Sequence, residues 1–142
     1  MAQGDLRALQ TPVVLPEETV EYQPASAEFL HPQEVQQAME PLVAFLQEHA
    51  DVQVLLYGGC AGDSDTPYSL QLGRERAESI RQYLIDSGIE EARLTAVSVP
   101  VQQNPYHVYG LGTDSEEARV NRHTVIVDAS TDFARQILQN AQ

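Results

Sequence analysis

Lysine is absent from this chain of 142 residues, and all eight of its Lys-or-Arg positions are arginine. Against 21 Asp and Glu they leave a formal net charge of −13. A field of that sign repels phosphate backbones and anionic lipid heads, which excludes nucleic acid and acidic membrane surfaces as partners. An arginine-only set suits forked recognition of carboxylates, and it is equally the outcome of compositional bias. Cys60 is the single cysteine, so no internal disulfide forms and cysteine usage fixes no redox compartment. At the end of an apolar run it reads as a small buried residue rather than a nucleophile. No apolar run has membrane-spanning length and no signal-peptide pattern opens the chain, leaving a cytosolic protein or an excised extracytoplasmic domain, without direct membrane insertion. His31, His49, His107 and His123 are dispersed without metal-ligand spacing. No nucleophile elbow surrounds Ser69, and Gly110-Leu111-Gly112 follows no strand that would make it a phosphate cradle. No catalytic residue, metal or cofactor is therefore expected.

What is present is one core's worth of apolar residues, 42% of the chain, without internal repeats or low-complexity tracts. Residues 1–18 lack a period and read as an irregular lead-in, and residues 19–142 as one domain. Thr19 to Tyr22 alternates as a short strand. From Pro32, apolar residues recur at Val35, Ala38, Met39, Leu42, Val43 and Leu46, a helical stripe that Pro41 is expected to kink or break. Val52 to Tyr57 is a nearly continuous apolar strand, buried on both sides or leaving the sheet edge. Gly59 to Pro67 is a loop, and a second helix runs from about Ser69 to Ser87, stopping at Gly88. Strands follow at Leu94 to Val99 and His123 to Asp128, with a short helix from Thr131 to Gln139. The predicted fold is an α/β (α+β) two-layer sandwich, a βαβαββ mixed sheet with helices on one face. The aperiodic segment from Pro100 to Ala118 is aromatic and glycine-rich, which predicts packing against the body.

One stretch carries more than structure. Gly58-Gly59-Cys60-Ala61 is followed, after ten residues, by Leu72, Gly73, Arg76, Ala77, Ile80 and Leu84 at helical spacing. With Asn121-Arg122 before the last strand, this pattern resembles the OmpA-like peptidoglycan-binding domain over roughly Thr19 to Asp128. The resemblance implies a non-catalytic domain of the extracytoplasmic cell envelope. Its implied partner is peptidoglycan or a related cell-wall component; the alternative is a module binding envelope proteins that keeps the fold without the wall site.

It also implies a site. Arg76 takes the position that binds the diaminopimelate carboxylate of the stem peptide, a bidentate contact; the competing reading is an arginine that fixes the adjacent loop. Ala61 stands where the family has the aspartate that meets the ligand's ammonium, so diaminopimelate binding is expected to be weak or altered. Asp63 and Asp65, two and four residues on, either replace that aspartate or are solvated. Tyr68 belongs to the loop that walls the site, and Ser69, in the family's pocket-asparagine position, serves the pocket or caps the helix. Asn121 and Arg122 border the pocket, although Asn121 equally suits satisfying loop backbone. Two expectations follow: Arg76 opens onto a concave site walled by the Gly59 to Tyr68 loop and Asn121, and Asp63 or Asp65 pairs with Arg76 when no ligand is present.

Overall fold

The computed structural model describes residues 9–113 and 115–141. Strands β1 (Val13–Leu15), β2 (Val54–Gly58), β3 (Leu94–Val97) and β4 (Thr124–Asp128) form one sheet in the order β1-β4-β2-β3. β2 runs parallel to β3 and antiparallel to β4, and β1 is antiparallel to β4. The unbroken apolar run of β2 is thus that of an interior strand, with every residue buried. Its pleat divides the core: Val54 and Leu56 face helices α1 (Pro32–Glu48) and α2 (Pro67–Asp86), while Leu55 and Tyr57 face the short helix α3 (Asp132–Asn140). The mixed sheet and its helical layer are as expected, with the refinement that α3 covers the opposite face through Ala134 and Ile137.

Three local expectations need correction. The first strand is Val13–Leu15, inside the stretch expected to be irregular, and Thr19 to Tyr22 holds only a turn and an isolated bridge from Tyr22 to Phe29. Leu9, fully buried, and the Asp128 amide bonded to its carbonyl at 2.9 Å tie this lead-in to the sheet. Helix α1 continues through Pro41 to Glu48 without a break. Pro41 and Gln37 both lie on the exposed face, so the carbonyl that loses its partner faces water. Helix α2 begins two residues early because Thr66 is its N-cap, with Ser69 completing a reciprocal capping box and Pro67 in the first turn. It ends as expected at Gly88, φ +101°, where Ile89 N–H donates to Leu84 O at 3.0 Å and Gly88 N–H to Ile85 O at 3.0 Å.

Candidate functional site

Where β2 ends, the backbone meets α2 with no side chain between them. A Cβ on Gly58 would lie 3.0 Å from the Gly73 carbonyl oxygen, and one on Gly73 would lie 3.0 Å from that of Gly58. This contact fixes the first turns of α2, and with them Arg76, against the strand that launches the Gly59 to Thr66 loop. Gly59 is tighter still: its Cβ would stand 2.6 Å from both Asn121 O and His123 Nε2.

Arg76 is only 7% exposed. Its Nε donates to the Ser26 carbonyl at 2.8 Å, and its guanidinium lies 4.9 Å from the centre of the Tyr22 ring. Burial pushes the Tyr22 hydroxyl up to about 12, so it stays protonated and donates to the Arg76 carbonyl at 2.8 Å. The turn from Tyr22 to Phe29 therefore braces the arginine, a role the sequence did not signal. The two terminal guanidinium nitrogens make no hydrogen bond among the described residues. Among the described residues no fully buried side-chain nitrogen or oxygen lacks a partner, and Arg76 reaches the protein surface. There Arg76 lines an open depression of about 420 Å³ together with Ala61, Tyr68, Ser69, Leu72 and Arg122. Cys60 also contributes; it is half-buried, its thiol raised by burial, with Sγ 3.5 Å from the Ser69 carbonyl.

The remaining candidates are turned elsewhere. Neither Asp63 nor Asp65 lies within ion-pair distance of Arg76, so the expected self-occupied fork is absent. Asp63 Oδ1 is 2.8 Å from His107 Nε2, and its Oδ2 accepts from Gly110 N–H at 2.9 Å. Those two hydrogen bonds, the His107 one foremost, hold its carboxyl below the ordinary carboxylate value. Asp65 accepts from Val101 N–H at 3.0 and 3.2 Å. Asn121 does not line the depression: its amide exchanges bonds with Val108, accepting at 2.7 Å and donating at 2.9 Å. Both acids and Asn121 thus clamp the segment after β3, which packs onto the body as expected. Backbone amides in a glycine-rich loop compete for nearby carboxylates, and here they are closer than Arg76.

Arg122 reaches the depression but is engaged. Its Nε donates to Glu17 at 2.5 Å and its Nη1 to Thr113 O at 3.3 Å, while Arg119 donates to the same Glu17 at 2.9 Å. Burial alone would raise the Glu17 carboxyl, but hydrogen bonds and charge from Arg122 and Arg119 carry it below its ordinary value. His123, missed as a structural residue, is buried in a chain running from Tyr57 through Asn104. Ser69 serves the α2 cap, accepting from Thr66 N–H at 3.0 Å, and still borders the depression.

Among the described residues no group of His, Cys, Asp and Glu is arranged to hold a metal ion, and no helix is long and apolar enough to cross a membrane. In chemical terms the depression offers one braced guanidinium fork in a largely apolar wall, suited to a carboxylate.

Comparison with known proteins bears on the family and the fold. A curated relative, the peptidoglycan-associated lipoprotein of Buchnera aphidicola subsp. Baizongia pistaciae, is 26% identical over 89 residues, which are 63% of this chain and 49% of the relative. The match thus spans about half of that protein's length. The periplasmic domain of Helicobacter pylori MotB superposes with a TM-score of 0.60 at 22% identity over 92% of each chain. The peptidoglycan-associated lipoprotein of Burkholderia pseudomallei does so with 0.57 at 24%, covering 80% of this chain and 87% of that one. The type VI secretion cell wall anchor of Pseudomonas aeruginosa gives 0.60 at 21%, covering 82% and 78%. These structures share the fold. The OmpA family model matches residues 22–119, the stretch that holds the Tyr22 brace, the Gly59 loop and Arg76, and the chain belongs to the OmpA family.

Proposed function

We propose that this domain attaches non-covalently to peptidoglycan or a related cell-wall component in the extracytoplasmic envelope, reading a stem-peptide carboxylate through Arg76. The observation that carries the reading is an arginine only 7% exposed whose terminal nitrogens make no hydrogen bond among the described residues, beside a depression of about 420 Å³. A buried cation held by one backbone carbonyl and an aromatic face gains most from a forked anion. Family membership and relatives named for peptidoglycan or cell-wall association support the same reading. The domain is non-catalytic here: it holds its ligand. Ala61 in place of the family's aspartate leaves an ammonium without counter-charge, so diaminopimelate itself binds weakly. A sedimentation assay on purified sacculi tests the proposal: the wild-type chain pellets with the wall and Arg76→Gln does not. Equal retention of both would move recognition away from Arg76.

A second reading is an envelope module that binds protein instead of wall. It is favoured by Ala61 together with the exposure of Tyr68, Val108 and Tyr109. In that case sacculi retain neither chain.

A further inference from the structure

We propose that the Arg76 depression selects a carboxylate whose neighbouring amine is acylated, as at a peptide terminus or a cross-linked residue, over the same group as a free zwitterion. The inference rests on Arg76 as a carboxylate anchor and concerns what stands beside that carboxylate.

A zwitterionic ligand brings an ammonium, which needs a carboxylate once it leaves water. Among the described residues the depression has none to give. At position 61 there is a methyl group. Both Asp63 oxygens are taken, by His107 and Gly110 N–H. Asp65 points at Val101 N–H, and Glu17 is shared between Arg119 and Arg122. Freeing any of the three would break a clamp on a loop or on the lead-in. The Ser69 hydroxyl is no substitute, since its Oγ already donates to Thr66 O at 3.1 Å while accepting from Thr66 N–H. Two cations, Arg76 and Arg122, line the same wall and disfavour a third.

Acylation removes these costs. An amide N–H is neutral and asks for one acceptor, which water at an open rim supplies. The added acyl carbon meets Ala61 and Leu72, apolar surface that an ammonium would leave unused. The ligand class is therefore an N-acylated amino acid with a free carboxylate: the last residue of a peptide, or a stem-peptide residue whose side-chain amine has entered a cross-link.

Calorimetric titration of the full chain with free diaminopimelate and with its N,N′-diacetyl derivative, at pH 7 and about 0.15 M salt to screen the acidic surface, tests this. The diacetyl compound should bind at least about tenfold tighter, about 1.4 kcal/mol, and Arg76→Lys should remove most of that affinity by replacing the fork with a point charge. Equal affinities, a preference for the free amino acid, or no binding of either compound overturns the inference. The sacculus assay separates it from the wider reading. Wall retention with a preference for the free amino acid leaves wall attachment standing and this selectivity refuted. Preference for the diacetyl compound without wall retention does the reverse.

Discussion

Ala61 is the single side chain whose change should alter ligand preference most. Ala61→Asp places a carboxylate at the depression, and a hydrogen bond to a charged group contributes about 1.5–3 kcal/mol. Free diaminopimelate should then bind roughly ten- to a hundredfold more tightly, with Arg76→Ala in the same chain abolishing the gain. Titration of both variants decides it, and unchanged weak binding would mean that the site has diverged at more than this position. His123 makes a different kind of prediction. Its Nδ1 bonds to the Val120 carbonyl at 2.8 Å, leaving Nε2 to accept from the Asn104 amide at 3.1 Å. A second ring proton would face that amide's own hydrogens, and burial lowers the His123 pKa from its ordinary 6.5. A histidine whose folded pKa is depressed stabilises the fold above its unfolded pKa, near 6.5, and that contribution is lost as pH falls through the folded value. Urea midpoints should therefore drop as pH is lowered from about 6.5. His123→Gln should be less stable at neutral pH and flatter across that window. Identical pH profiles would remove His123 from the explanation.

Among the elements, those set by periodicity were legible in advance, and those set by competition for hydrogen bonds were not. The α2 stripe of Ala77, Ile80 and Leu84, the fully apolar β2 and the stop at Gly88 each follow from a local rule that the tertiary structure reinforces. β1 was missed because three residues bounded by prolines carry almost no alternation to detect. The site was legible in the Arg76 register and illegible in its partners. Nothing in the spacing of Asp63 and Asp65 tells that Gly110 and Val101 amides, some forty residues away, outbid an arginine eleven or more residues along the chain. Nor does any pattern place the Ser26 carbonyl on Arg76, because backbone acceptors carry no residue signature. The junction of β2 with its loop yields the sharpest test at this scale. Gly59 N–H donates to the His123 carbonyl at 2.8 Å, and a methyl group there would collide at 2.6 Å with the Asn121 carbonyl oxygen and the His123 ring. Neither neighbour is a free side-chain end, so Gly59→Ala should cost about 1–3 kcal/mol or more by overpacking. Chemical denaturation measures it, and a loss below a few tenths would show that the loop yields easily.

For the molecule as a whole, the lead-in matters more than its composition suggested. Leu9, Val13 and Leu15 are buried in the main core, and fully burying such side chains is worth about 1.5–3 kcal/mol each. Their sum rivals the entire stability of an ordinary domain, about 5–15 kcal/mol. A chain beginning at residue 19 should therefore be largely unfolded or molten, with lost chemical-shift dispersion, and native-like dispersion in that chain would show the lead-in to be dispensable. The arginines serve the same integration. Arg93 donates to the Leu46, His49 and Val52 carbonyls, Arg81 to those of Leu94 and Glu91, and Arg119 and Arg122 hold Glu17. β1 has a last consequence, for crowding. Among the described residues its outer side is a sheet edge, and an open edge invites a strand from a neighbouring copy. Pro12 and Pro16 bracket its three residues, and neither ring nitrogen can donate to an incoming strand. Copies packed side by side on one surface would thus find almost no ladder to extend at β1, and could stand close together along this edge without joining strands.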